Sequence, residues 1–292
     1  MNMNKEPIYL SVVLSTYNDE KYIAESIQSI LDQTYPYFEF IIVNDGSTDR
    51  TIDIIKSFKD SRIILIDKPN TGLIDSLNIG VRAAKYDWIA RMDGDDIAKK
   101  NRFEEQIKLI KNDVVIISSQ CSIIDGKGHY IRKTRFLTSK IGVGLSKILE
   151  FPLIVHPVAM YRKAVFEKVG GYDKNMYVAE DYDLWCKMQS YGKVIISSEY
   201  LLCLRKHGNN ISTQKGNEQK INLLIGYIKY LYEINRPLSD YQYASLRKYI
   251  ESSDFINRYK CGNGIIGFLK SRICRYIDVK QDVNIKELLL GE

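Results

Sequence analysis

The chain has 292 residues, of which 45% are hydrophobic and 27% charged. That composition excludes disordered and collagen-like chains, and the length suits one large domain with, at most, a small appendage. The net charge of +6 is modest, and most of the excess lies after residue 213.

The longest apolar runs fall far short of the roughly 20 residues that span a bilayer. The opening MNMNKEP has no apolar stretch behind its lysine, so no signal peptide is expected. The cysteines Cys121, Cys186, Cys203, Cys261 and Cys274 are odd in number, scattered and never in a C-x-x-C pair. This argues against a disulfide framework and a zinc site, and a reducing cytoplasm fits best.

In chain order, residues 8–14 read as a buried strand and 22–33 as a helix with Ile23, Ile27, Ile30 and Leu31 on one face. A second strand at 39–43 runs into Asn44-Asp45-Gly46-Ser47-Thr48-Asp49. There Gly46 permits a tight turn and Ser47 or Thr48 caps a helix ending near Phe58. A strand at 63–66, a helix at 73–84 and a strand at 88–92 lead to Asp93-Gly94-Asp95-Asp96, followed by a helix at 101–111 and a strand at 114–118. Alternation of this kind predicts a mostly parallel, doubly wound sheet, with ligands bound at the carboxyl ends of its strands.

After residue 120 the pattern changes. Asp125-Gly126-Lys127-Gly128 reads as a hairpin turn, 178–189 as a helix, and 158–161, 194–196 and 201–204 as short strands. Residues 221–232 and 241–250 read as helices separated at Arg236-Pro237. A boundary is expected near 213, giving a strand-and-helix domain over 1–213, where any catalytic domain is expected, and a helical region over 214–292.

The three carboxylates at 93–96 repel one another, and a hard divalent cation with oxygen ligands resolves that repulsion. Asp45, just past a strand, is placed to accept hydrogen bonds from a base or a ribose, or else to close an Asx turn. Glu180-Asp181 opens a helix, where capping alone explains one of the pair; two adjacent acids do not both cap well, which leaves the other as a candidate general base. His156 and His207 are each satisfied structural residues or ligands, and the loop from Leu204 to Asn209 is rich enough in cations to meet a diphosphate. Gly262-Asn263-Gly264-Ile265-Ile266-Gly267 matches G-x-G-x-x-G but lacks the strand before it that a dinucleotide site needs.

Several motifs taken together resemble family 2 glycosyltransferases: Val13-Leu14-Ser15-Thr16-Tyr17-Asn18, Ile42-Val43-Asn44-Asp45-Gly46-Ser47-Thr48-Asp49 and Ala90-Arg91-Met92-Asp93-Gly94-Asp95-Asp96. To these add His156-Pro157-Val158-Ala159-Met160-Tyr161-Arg162-Lys163, Gly170-Gly171-Tyr172-Asp173 and Ala179-Glu180-Asp181-Tyr182-Asp183-Leu184-Trp185. The resemblance covers residues 8–212 and is similar in kind to bacterial transferases that build O-antigen, capsule or exopolysaccharide. It implies the A-type glycosyltransferase fold, a nucleotide-sugar donor (UDP-sugar favoured), Mn²⁺ or Mg²⁺, and inversion at the anomeric carbon. The implied acceptor is a glycan or lipid-linked saccharide, and no nucleic acid is expected.

By the same resemblance, Thr16, Tyr17, Asn18 and Asp45 bind the nucleoside. Asp93 and Asp95 form the D-x-D pair with Asp95 the direct metal ligand, Asp181 is the base, Glu180 and His156 lie on the acceptor side, and Arg205 and His207 meet the diphosphate or the metal. The chain departs from the family pattern at Asn44, Cys186-Lys187 and Leu204. Two rivals stay open at this point: a sugar-phosphate nucleotidyltransferase, though the first strand lacks a glycine-rich triphosphate loop, and a non-catalytic nucleotide- or glycan-binding module. The basic residues of 255–280 belong to an amphipathic helix that either lies on the anionic cytoplasmic leaflet of the inner membrane or packs on the catalytic domain.

Overall fold

The computed structural model describes residues 6–134, 154–208, 216–252 and 282–290. The basic helix expected within 255–280 and the glycine motif at 262–267 lie outside the described residues. The chain groups into two compact units: the first holds 6–134, 154–168 and 191–207, the second 169–190 and the described residues from 208 onward.

The first unit is a sheet with helices on both faces. Its elements are β1 (Leu10–Thr16), α1 (Ile23–Leu31), β2 (Phe38–Asp45), α2 (Thr51–Ser57), β3 (Ile63–Lys68), α3 (Leu73–Ala83) and β4 (Trp88–Asp93). They continue through β5 (Ile97–Ala98), α4 (Arg102–Ile107), β6 (Val114–Asp125), β7 (Tyr130–Lys133), β8 (Met160–Arg162), α5 (Lys163–Lys168) and β9 (Lys193–Lys206). β1 is buried along its whole length, as the apolar run predicts for a strand covered on both faces. Leu10, Val12 and Leu14 pack with Ile23, Ile27 and Ile30 of α1. On the other face α3 closes onto β1 at Gly80, where a Cβ would stand 2.6 Å from Val13 Cγ1.

The strand order is β3-β2-β1-β4-β8-β6-β9-β5, with β7 paired to β6. β3, β2, β1 and β4 are parallel, as are β6 and β9, whereas β8, β7 and β5 pair antiparallel to their neighbours. The sheet is therefore mostly parallel with antiparallel insertions, as expected. β9 is one strand of 14 residues where the sequence reads two. Ser197, Ser198 and Glu199 break the apolar pattern, but the backbone ladder with β6 runs past them, with shifts of register around Gln120.

The second unit contains α6 (Glu180–Met188), α7 (Gly216–Leu231), α8 (Asp240–Glu251) and α9 (Val283–Leu290). Tyr182 and Cys186 of α6 join Leu224, Ile225 and Ile228 of α7, Leu246 and Ile250 of α8, and Ile285 and Leu289 of α9 in one apolar core. α8 begins in a reciprocal cap in which Ser239 Oγ accepts from Gln242 N and the Gln242 side chain accepts from Ser239 N. No helix among the described residues is long and apolar enough to cross a membrane.

Candidate active site

Register brings the first motifs together. Thr16 at the end of β1 lies opposite Asn44 of β2, and Ser15 opposite Asp93 of β4. Thr16, Asp45 and Asp93 thus reach the same carboxyl edge of three adjacent parallel strands, where such sheets bind ligands.

Asp45 is 3% exposed. It accepts from Thr71 N at 2.8 Å and Gly72 N at 2.9 Å, and the Lys68 ammonium pairs with it. Burial acts to raise this carboxyl, but the Lys68 and Thr71 donors outweigh it and hold the group below the ordinary range. The loop closes this tightly because residue 46 is glycine at φ +68°: a Cβ there would meet Asn70 N at 2.6 Å. Tyr17 is 47% exposed, so its ring is open to a stacking partner. Asn18 instead ties two loops together, its Oδ1 accepting from Thr48 N at 2.8 Å and its own N–H donating to Ser47 Oγ at 3.0 Å.

Asp93, Asp95 and Asp96 each offer an oxygen, and these atoms all lie within 4.8 Å of one another. Burial and the neighbouring Asp93 raise Asp95, and burial with Asp95 raises the fully buried Asp96 well above the usual carboxylate range. Asp96 Oδ1 accepts from Arg205 N at 2.7 Å, while its Oδ2 has no hydrogen-bond partner among the described residues. An all-oxygen donor set whose charges repel fits a hard divalent cation. The Arg91 guanidinium pairs with Asp93, and His207 Nε2 lies 2.8 Å from Asp95 Oδ2.

His207 stacks on Tyr22 with ring centroids 5.1 Å apart, and the Arg205 guanidinium lies 4.7 Å from the same ring's centroid. Arg205 is almost fully buried; it donates to Asp95 O at 2.7 Å and to Glu25 at 2.5 Å. Its side chain braces the acidic loop from behind. These contacts tie the guanidinium to the acidic loop.

Asp19 is a site residue that sequence reasoning missed. Its Oδ2 accepts from Thr16 Oγ1 at 2.7 Å, and burial, with Asp95 and Asp93 nearby, pushes it up to about 6. The acid pair Asp19-Glu20 directly after the first strand was the available signal. Lys68 and Arg91 were also missed, because nothing local marks which carboxylate a lysine or arginine will meet.

His156 opens a single 3₁₀ turn at His156–Val158. Burial, with Arg91 nearby, holds its imidazole well below the ordinary histidine range, so it is neutral at pH 7. In the second unit, Glu180 and Asp181 occupy the first turn of α6, where the helix N-terminus favours negative charge. Tyr182 N donates to Asp181 Oδ1 at 2.7 Å. Asp183 faces the interior, paired with Lys187 and Lys229.

Residues 11–170 match the model of the family described as Glycosyl transferase family 2. The chain belongs to that family. It is 35% identical over 225 residues to an uncharacterized glycosyltransferase of Haemophilus influenzae, covering 72% of this chain and 69% of the relative. It is 34% identical over 216 residues to the O-antigen biosynthesis glycosyltransferase WbnJ of Escherichia coli, covering 70% and 82%. Among solved structures, the S. aureus TarS 1–349 complex with UDP-GlcNAc superposes with a TM-score of 0.64 at 18% identity, covering 97% of this chain and 84% of that one. The Pyrobaculum calidifontis mannosyltransferase PcManGT, in complex with GDP-Man and Mn²⁺, gives 0.58 at 15%, covering 93% and 72%. These two establish the A-type fold, and the family makes the chain a glycosyltransferase.

Proposed function

We propose that this transferase moves a hexosyl or N-acetylhexosaminyl group from a nucleotide-sugar, a UDP-sugar in first place, to a hydroxyl of a glycan or lipid-linked saccharide during cell-surface polysaccharide assembly. The observation that carries the donor side is the cluster of Asp93, Asp95 and Asp96 oxygens at the carboxyl edge of the sheet. The O-antigen relative supports the pathway, and the UDP-GlcNAc and GDP-Man complexes of the structural neighbours support the donor class. Work at the cytoplasmic face of the inner membrane follows from a lipid-linked acceptor.

Mn²⁺ or Mg²⁺ held by Asp95 with Asp93 and Asp96, and with His207 in reach of Asp95, would supply charge neutralisation for a departing diphosphate. Tyr17 offers a ring face to the base. Asp45, engaged by Lys68, Thr71, Gly72 and Ser76, fixes the loop after β2 and meets the base or ribose of the nucleoside. Asp181 takes the proton of the acceptor hydroxyl while that oxygen bonds to the anomeric carbon. The bond from that carbon to the nucleotide oxygen breaks and the nucleoside diphosphate leaves with the electron pair. One displacement inverts the centre, so one base suffices. His156 and Glu180 keep the acceptor-side roles that the family resemblance implies for each.

Thermal unfolding against UDP, GDP, dTDP, CMP and ATP, with and without Mn²⁺, tests the donor side. A ligand at about 100 times its Kd adds roughly 2.7 kcal/mol. A shift with one nucleoside diphosphate that needs both Mn²⁺ and Asp95 is expected; a shift that survives Asp95→Ala overturns the metal role. Asp181→Asn is expected to keep that shift and lose at least ~10²-fold in turnover.

A further inference from the structure

Four charged side chains are buried together in the second unit. Lys187 Nζ pairs with Asp183 Oδ2 at 2.9 Å and donates to Gly171 O at 2.8 Å. Lys229 Nζ pairs with Asp183 Oδ1 and lies 3.3 Å from Asp173 Oδ2. None of the four side chains exceeds 2% exposure. Two cations and two anions balance, and burial, which alone would raise Asp183, is outweighed by Lys229 and Lys187. Buried charge of this density is tolerated only when each group keeps its partners.

Lys229 comes from α7, outside the 11–170 match to the family. Asn222, Gly226 and Lys229 recur along one face of that helix at the spacing of successive turns. Asn222 Nδ2 donates to Tyr177 O at 2.7 Å, one residue before Val178, whose φ of +63° is strained for a β-branched residue. Gly226 lets the helices approach: a Cβ there would stand 3.0 Å from Tyr182 Cδ1. Lys229 then grips Asp173 and Asp183. One helix face therefore holds, in succession, the turn before α6, the Tyr182 ring, and the anionic anchor within α6.

We propose that Lys229, with Asn222, is a positioning residue for Asp181: the α7 face fixes the rotation of α6 about its axis, and so the direction in which the base is presented. This rests on the reading of Asp181 as the base. Residues two apart on a helix project about 200° apart, so anchoring Asp183 in the interior sets Asp181 on the opposite side. Without the Lys229 ammonium, Asp183 keeps Lys187 alone, and a turn of α6 that brings the freed oxygen toward water would relieve the unpaired buried charge. A displacement near 1 Å costs about 10²-fold in rate.

The test uses the full chain and measures release of UDP from UDP-GlcNAc, or GDP from GDP-mannose, with water as acceptor. Lys229→Met is expected to lower kcat by about 10²-fold while leaving the donor KM, and the Mn²⁺-dependent thermal shift with the nucleotide, unchanged. Lys229→Arg, which keeps the charge, is expected to recover most of the rate. Asn222→Ala, a milder lesion, is expected to show the same split between kcat and KM at about a tenth of the loss, and decides the matter should Lys229→Met fail to fold. A normal kcat in Lys229→Met, or a parallel loss of kcat, donor KM and thermal shift without rescue by arginine, overturns the proposal. Asp181→Asn run beside them separates the two readings: normal turnover there removes the base, whereas an inactive Asp181→Asn with a normal Lys229→Met removes only the positioning role.

Discussion

The carboxylate of Asp19 occupies the space that a side chain on residue 94 would need. A Cβ on Gly94 would stand 2.6 Å from Asp19 Oδ2 and 3.2 Å from Thr16 Oγ1. The acidic loop after β4 is thus seated directly against the loop after β1, and the hydrogen bond from Thr16 to Asp19 holds that seat. Gly94→Ala is expected to cost about 1–3 kcal/mol, the usual range for overpacking, because Asp19 must swing off Thr16. Asp19→Ala in the same chain is expected to relieve most of that cost. Additive losses in the two single variants and the double variant, measured by denaturant unfolding, would show that the contact does not couple them.

The carboxylates of this edge give the metal-free protein a pH dependence of known sign. In the unfolded chain each titrates near pH 4. Asp19 is pushed up to about 6, and Asp95 and Asp96 are raised; raised values mean that ionisation opposes folding. Stability from these groups is present below about pH 4 and is lost as the pH rises through their folded values. Asp45 and Asp183 are lowered, so their contribution is present above about pH 4 and is lost as the pH falls through their folded values. EDTA-treated protein is therefore expected to melt several degrees lower at about pH 7.5 than at about pH 5, and Mn²⁺ to abolish that fall. A Tm that is flat with pH, or a fall that Mn²⁺ leaves in place, would count against a cation at Asp95.

Much of the donor edge is legible in the amino-acid sequence, for a physical reason. β1 and β2 are apolar runs rich in β-branched residues, β4 is largely buried, and all three end in polar residues at the carboxyl edge, where parallel sheets bind ligands. That juxtaposition marks Asp45, Asp93 and Asp95. It does not mark the role of Asp19, which depends on how closely a loop far along the chain approaches. Lys229 carries no local mark of burial, since its partners Asp173 and Asp183 lie on other segments, and the i,i+4 pair of Asp183 with Lys187 is equally common on exposed helix faces. The continuity of β9 is hidden because backbone hydrogen bonds leave no mark in side-chain pattern. Arg205 stands out in the sequence as a candidate ligand-facing cation, while its contacts to Asp95 O and Glu25 are tertiary and carry no sequence signature.

Arg205 separates two accounts of the loop after β9. A cation that serves a diphosphate can be removed with little effect on the empty fold, and nucleotide affinity alone falls. A cation that braces the acidic loop cannot. Arg205→Met removes the donor to Asp95 O, the pair with Glu25 and the contact with the Tyr22 ring. Glu25 is 58% exposed, so water takes over its charge and that half of the loss is small. The Asp95 carbonyl loses a charged donor, which costs about 1.5–3 kcal/mol. The substitution is therefore expected to destabilise the metal-free protein by about 2–3 kcal/mol and to weaken Mn²⁺ binding by about 10–100-fold, read by the paramagnetic signal of the free ion. Both follow from a loop that is no longer held in the geometry its three carboxylates need. An unchanged Tm with weaker UDP binding would place Arg205 at the diphosphate instead.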